Sequence, residues 1–286
     1  MEIKNKKLLV IGCGKLGQKL GLLAKKTPLD LLGFKRKKIT STNIRIEQQD
    51  IFDKSFFDKV KIHSPDFILY SLSADEQSEK SYRRNYVEGL KQVIKSIKYI
   101  NNFQHLFFVS STSVYGDNND QFIDEFSETS PKNFRGTILL EAENLLNTVK
   151  FNSTVLRLSG IYGSGRNYMI KLSQDAESWP KVDRWTNRIN EDDAANFIIF
   201  LLNQCLQGEI PEKLYLLTDK EPVTLFRLLN WIRQNLNLKN KINITSDPIL
   251  GKRLRSSIIP SLKFEYKYPT YKQGYKELIQ EAKKNL

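Results

Sequence analysis

Lys7-Leu8-Leu9-Val10-Ile11, running directly into Gly12-Cys13-Gly14-Lys15-Leu16-Gly17, is the stretch that decides the fold. It joins an apolar run of strand length to a Gly-x-Gly-x-x-Gly turn that opens a helix, the one context in which those glycines have separate physical uses. The first permits a tight turn, the second lets the backbone approach a pyrophosphate, and the third lets the helix lie close to the strand. Phosphate oxygens then meet N–H groups without helical partners and the positive end of the helix dipole. The stretch therefore reads as a dinucleotide-binding turn, with Gly12, Gly14, Lys15, Leu16 and Gly17 as cofactor contacts.

Outward from the turn, short β-like runs alternate with amphipathic stretches, the pattern of a parallel sheet covered by helices on both faces. Further strands are predicted at Leu29–Phe34, Ile44–Glu47, Phe67–Ser71, His105–Ser110 and Ser153–Leu158. Helices are predicted at Lys15–Lys26, Ser55–Lys61 and Gly136–Lys150, and along the stripe Tyr86, Leu90, Val93, Ile94, Ile97, Ile100. The expected fold is a doubly wound (Rossmann) α/β domain with about seven parallel strands. After Leu158 the alternation breaks, and Gly160–Arg188 carries glycines, a proline and two tryptophans with little periodicity. Residues 1–158, joined by 186–218, are therefore expected to form the Rossmann domain, and 159–185 with 219–286 a smaller C-terminal substrate lobe.

Composition narrows the function classes. Lys and Arg exceed Asp and Glu by 45 to 32, a net +13, but the cations are lysines scattered along the chain rather than a basic stripe with interleaved aromatics. This argues against specific nucleic-acid binding. The longest apolar runs fall well short of the roughly 20 residues a bilayer requires, and residues 1–7 lack the apolar core of a signal peptide. A cytoplasmic protein without membrane partners is expected, handling a small-molecule substrate, with a homodimer as the assembly to look for. Cys13 and Cys205 are the only cysteines and His63 and His105 the only histidines. None has ligand-type neighbours at metal-binding spacing, so no metal site is predicted.

An NAD site usually carries an acid about 20 residues beyond the turn, accepting from the ribose 2′-OH. Here the corresponding place reads Gly33-Phe34-Lys35-Arg36-Lys37-Lys38, with no acid and abundant cations. Lys35 and Arg36 thus favour the 2′-phosphate of NADP, with NAD as second choice; a solvated charge run is the plainer alternative. Asp50 is placed at the adenine end, and Ser71, Leu72, Asn85 and Ser110 complete the expected cofactor set.

From the fifth strand onward the chain resembles the extended short-chain dehydrogenase/reductase family, which includes the nucleotide-sugar epimerases and dehydratases. Val109-Ser110-Ser111-Thr112-Ser113-Val114-Tyr115-Gly116 is similar to that family's Ser-Ser-x-x-Val-Tyr-Gly strand end, and Asn85-Tyr86-Val87-Glu88-Gly89 to the Asn-x-x-Gly of its preceding helix. The segment from Leu156 to Arg166 resembles its Leu-Arg-x-x-x-x-Tyr-Gly-Pro-Gly element, and Asn190-Glu191-Asp192-Asp193-Ala194-Ala195 its His-Val-x-Asp-x-Ala element. The resemblance implies that Ser111 is the catalytic serine, positioning a sugar hydroxyl or ketone. It also implies a Tyr-x-x-x-Lys pair whose tyrosine acts as general base, and here the sequence departs. Alignment of the following helix puts Arg135 at the tyrosine position and Leu139 at the lysine position. This looks like an atypical branch that keeps the cofactor site without the standard pair.

Two readings follow. In one, the chain is an NAD(P)-dependent sugar-nucleotide epimerase, dehydratase or reductase with a substitute acid/base, for which Tyr115 is the leading candidate and Tyr162 and Tyr82 the others. In the other it is a catalytically silent NADP-binding sensor or scaffold. Arg166, Arg184, Arg188 and Arg253 fall in the expected substrate lobe, where guanidinium forks could hold a diphosphate. Trp179 and Trp185 could stack on a base or roof the lobe's core. No Gly-x-Ser-x-Gly elbow surrounds Ser110 or Ser111, which excludes a serine hydrolase.

Overall fold

Strand β1 (Lys6–Ile11) buries Leu8, Leu9, Val10 and Ile11 almost completely, as a strand covered by helices on both faces must. It sits mid-sheet with β2 (Leu29–Lys35) on one side and β4 (Phe67–Tyr70) on the other, both parallel to it. Strand β3 (Arg45–Gln48) extends the sheet beyond β2, and β5 (His105–Ser111) pairs with β4. The seven-stranded order is Leu214–Leu217, Asn152–Leu158, β5, β4, β1, β2, β3, the doubly wound parallel arrangement expected from the sequence. This computed structural model describes residues 5–37, 39, 43–117, 121–238 and 249–284.

Packing behind the glycine turn explains the residue between the glycines. Cys13 is fully buried, and a Cβ on Gly17 or on Gly33 of β2 would stand 2.9 or 2.7 Å from its sulfur. Helix α1 (Lys15–Ala24) thus seats on the sheet through a thiol fitted between two glycines. Burial pushes that thiol up to about 11, against a smaller lowering by Lys35. Helix α2 (Phe56–His63) follows β3, and a longer helix runs through Glu79–Tyr82, a π-helical Arg83–Glu88 and Gly89–Ile97. A Cβ on Gly89 would stand 2.2 Å from the Tyr70 hydroxyl, so glycine there lets this helix close onto β4.

The chain divides into two compact units. The first comprises residues 1–114, 129–157 and 195–215, and the second 115–128, 158–194 and 216–286. The expected division is corrected at its edges. Residues 115–128 belong to the second unit because Phe122–Ile123 pairs with Arg253–Leu254, and buried Glu125 accepts from Leu216 N, Ser256 Oγ and Ser257 N. Residues 186–194 belong there too, since Trp185–Thr186 pairs with Val223–Thr224 and Arg188–Asn190 with Gly160–Tyr162. The core of the second unit mixes aromatic and aliphatic side chains, with Tyr162 stacked on Tyr275 at 4.4 Å beside Leu228, Ile232, Tyr271 and Leu278.

His105 opens β5 at 2% exposure, with Nε2 2.8 Å from Thr154 Oγ1. Thr154 donates its single hydroxyl proton to Glu212 O, so His105 Nε2 must carry the hydrogen. Burial holds protonation of the ring down to about 4, against an ordinary 6.5. A depressed histidine contributes stability that is complete above the unfolded value and lost as pH falls toward the folded one. The expected result is an acid loss of about 2–3 kcal/mol between pH 7 and pH 4.5 that a His105→Gln variant lacks. Urea titrations of both proteins at the two pH values would measure it, and equal acid sensitivity would refute it.

Candidate dinucleotide site

A pocket in the first unit opens at the carboxyl ends of β1 and β2, where open α/β sheets place their ligands. It is lined by Gly12, Lys35, Arg36, Asp50, Leu72 and Asn85, six of the residues expected to contact the cofactor, together with Ile11, Phe34, Gln49 and Ile51. The two polar or apolar residues flanking Asp50 carry no motif that would have marked them in the sequence. Gly12 has φ +87°, and a Cβ there would stand 2.6 Å from the backbone nitrogen of Leu72. Gly14 is different, since a Cβ would find nothing nearer than Gly12 O at 3.9 Å. The space in front of it is open, and Gly14 heads α1 with no side-chain cap and no acid in the first turn. An open approach to an uncapped helix N-terminus is what a pyrophosphate requires, so these residues fit the group.

Several expected contacts also have partners inside the protein. The Ser71 hydroxyl donates to Gly12 O at 3.1 Å and its N–H to Ile11 O, which braces the turn. Ser110 is 5% exposed and donates to Glu143 Oε1 at 2.5 Å, while Glu143 also accepts from Arg157 Nε and Nη2. Asp50 caps its own loop by accepting from Phe52 N at 3.0 Å, with Arg84 Nη2 3.7 Å from its other oxygen. Arg36 forms a bidentate pair with Asp75, Nη1 to Oδ2 at 2.7 Å and Nη2 to Oδ1. That pair raises the guanidinium and lowers the carboxyl. Lys38, the last cation of the run, lies outside the described residues.

Ser111 ends β5, half-buried, and its Oγ accepts from Ser113 N at 3.2 Å. The loop beyond it is clamped by the helix Phe134–Leu146, because a Cβ on Gly136 would stand 2.1 Å from Ser113 O. Arg135 and Leu139 lie on the first turns of that helix, the arginine exposed and the leucine 3% exposed. Tyr82 packs edge-on to Phe134 at 5.4 Å.

In the second unit the arginines do not form one cluster. Arg166 donates to buried Glu191 at 3.1 Å. Arg184 and Trp185 run beside Leu250 through a β-bridge and a 2.8 Å backbone bond, which brings the Arg184 and Arg253 segments together. Arg253 lies 4.2 Å from the Phe122 ring and 4.6 Å from that of Trp185. Arg188 sits against Gly160, whose Cβ would stand 2.9 Å from its Nη1. Trp179 is a core residue, 7% exposed and donating to Leu172 O. Tyr162 is 2% exposed with its hydroxyl pushed far up by burial, and Tyr115 is 1% exposed. Lys252 went unmarked in the sequence; its Nζ donates to Tyr115 O at 2.6 Å, and burial lowers it to about 8, offset in part by Asp117.

Among the described residues no cluster suits a metal ion, and no helix is long and apolar enough to cross a membrane. The family model described as the RmlD substrate binding domain matches residues 6–285. A structure from Methylobacillus flagellatus, provisionally described as an NAD-dependent epimerase/dehydratase, is 32% identical, with TM-score 0.84 over 97% of this chain and 99% of that one. A dTDP-glucose 4,6-dehydratase from Bacillus anthracis in complex with NAD is similar at TM-score 0.79 and 16% identity, covering 98% of this chain and 97% of that one. So is a UDP-glucose 4-epimerase from Thermotoga maritima at TM-score 0.79 and 16% identity, covering 98% and 99%. No curated protein matches. The glycine turn, the seven-stranded sheet and a family match spanning nearly every residue lead to one conclusion: the chain belongs to the RmlD substrate binding domain family, within the extended short-chain dehydrogenase/reductase fold of NAD-binding epimerases and dehydratases.

Proposed function

We propose that the chain is an NAD(P)-dependent sugar-nucleotide epimerase, dehydratase or reductase in which Ser111 positions a substrate oxygen and a group other than a Tyr-x-x-x-Lys pair moves the proton. The observation that carries it is Ser111 itself. β5 runs parallel to β4, and β4 to β1, so Ser111 ends its strand on the same edge of the sheet as Gly12. Its Oγ accepts one bond from Ser113 N and keeps its own proton to donate to a substrate hydroxyl or ketone oxygen. A bound nicotinamide would supply hydride transfer there. Gly12, Gly14 and the first turn of α1 would hold its pyrophosphate, and the pocket from Lys35 to Asn85 its adenosine end. Similarity to enzymes acting on UDP-glucose and dTDP-glucose supports a nucleotide-sugar substrate.

The acid/base is the open role. Tyr162 is stacked and its hydroxyl pushed up, so it is poorly suited to ionise. Lys252, which burial lowers to about 8, is better suited than Tyr162 to give up a proton. Lys35 and Arg36 support NADP, with NAD second, as far as charge alone decides it, but Arg36 already holds a carboxylate. Arg135 and Leu139 favour a second reading, a silent dinucleotide-binding protein, because neither side chain can exchange a proton near neutral pH.

Purified protein incubated with NADH or NADPH and a panel of nucleotide sugars, followed by nicotinamide absorbance and product analysis, separates the two. Turnover that Ser111→Ala reduces about a hundredfold, without weakening dinucleotide binding, is the expected result. Tight dinucleotide binding with no turnover on any panel member would instead support the silent reading.

A further inference from the structure

We propose that Asp75 sets the choice between NAD and NADP, acting as an internal anion that holds Arg36 at the ribose end of the pocket. The inference rests on the dinucleotide reading above. The position after β2 that should carry an acid carries Lys35 and Arg36 instead. Asp75 reaches that position from the loop after β4, and its two oxygens face the two terminal nitrogens of Arg36. This is the fork geometry with which arginine takes a phosphate, so Asp75 and a ribose 2′-phosphate compete for the same donors.

Asp75 is held in place for that role. Its backbone N–H and that of Glu76 both donate to Ser81 Oγ, at 3.0 and 3.3 Å, and Ser81 N donates to Ser78 Oγ, which caps the helix start. Arg36 is the main influence keeping the Asp75 carboxyl ionised, with pocket-lining Asn85 and nearby Arg84 adding to it. Asp50 is a second carboxylate acting on Arg36 from inside the pocket. The cation at the end of β2 is therefore held by one acid and more weakly influenced by a second.

The pair is 40% and 44% exposed, and exposed pairs of this kind contribute under about 1 kcal/mol. A phosphate could displace Asp75, but it would leave a carboxylate beside a dianion. That repulsion, rather than the strength of the ion pair, supplies the discrimination. The 2′-OH of NAD meets no such penalty and finds an acceptor in the carboxylate.

The test is the affinity of NADH and NADPH, by fluorescence or calorimetry at low salt, for the wild-type chain, Asp75→Asn, Arg36→Ala and the double variant. The wild type should favour NADH. Asp75→Asn should tighten NADPH on the order of tenfold and change NADH less than about threefold, an effect that shrinks at high salt and vanishes when Arg36 is absent. An unchanged NADPH/NADH ratio in Asp75→Asn, a wild-type preference for NADPH, or a Asp75→Asn effect that survives Arg36→Ala would overturn the proposal while leaving dinucleotide binding intact. Failure of either dinucleotide to bind any of the four proteins would overturn the underlying reading with it. Thermal midpoints within a few degrees of wild type would show that an unchanged ratio is not a folding artefact.

Discussion

Glu143→Ala should lower the stability of the chain by about 3–5 kcal/mol, read as a shift of the urea midpoint. The Glu143 and Arg157 side chains are 6% and 8% exposed and meet through Nη2 to Oε2 at 2.6 Å, with Arg157 Nε 3.1 Å from both carboxylate oxygens. Removing the carboxylate takes from a buried guanidinium, which cannot shed its proton, the charged acceptor that both Nε and Nη2 donate to. It also leaves the Ser110 hydroxyl without the acceptor it has at 2.5 Å. The pair itself is not the source of the stability, because desolvating two charges offsets most of their attraction. Replacing both partners, as in Glu143→Leu with Arg157→Met, should therefore recover most of the loss. A single substitution that costs under about 1 kcal/mol would show that water reaches Arg157 and that the network is not closed. Because Ser110 adjoins Ser111, the single variant should also perturb the serine proposed to position the substrate, which Glu143→Gln, keeping an acceptor, should spare.

The same network shows where a sequence reading stops. The fold was legible because it rests on local patterns: apolar runs buried on both faces, a helical stripe, and a glycine turn in which Gly12 and Gly17 each have a steric reason in the structure. The candidate pocket was legible for a related reason, since sheet topology brings the ends of β1, β2 and β4 to one edge. Partners far apart in the chain were not. Arg36 read as a free cation because Asp75 is 39 residues away, and Arg166 as a substrate fork because Glu191 is 25 residues away. Ser110 is a partial exception. Successive residues of a strand point to opposite faces, so Ser110 and Ser111 could not both face a ligand. The pattern held that information, but only Glu143 shows which serine turns inward. The unit boundary was missed at residues 115–128 for the same reason as Arg36, because Glu125 is committed to residues 91 to 132 positions away.

Gly14→Ala is the substitution expected to separate binding from folding most sharply. Gly14 has φ −87° and ψ −152°, backbone that alanine adopts without strain, and its added Cβ would meet only Gly12 O, at 3.9 Å. Stability should stay within about 0.5 kcal/mol of wild type, the range of substitutions that disturb no packing. The same methyl group, however, would stand in the open approach to the first turn of α1, where a pyrophosphate must come close to the N–H groups. Losing that approach should weaken NADH and NADPH alike by about a hundredfold or more, since the phosphate contacts are shared by both. Gly12→Ala supplies the contrast. With φ +87° and backbone atoms of Ser71 and Leu72 within 2.8 Å of the new Cβ, it should lose binding and several kcal/mol of stability together. Equilibrium binding beside urea unfolding on the two variants would distinguish the outcomes. A Gly14→Ala protein that is folded and binds dinucleotide as tightly as wild type would mean that the space before α1 serves something other than a pyrophosphate.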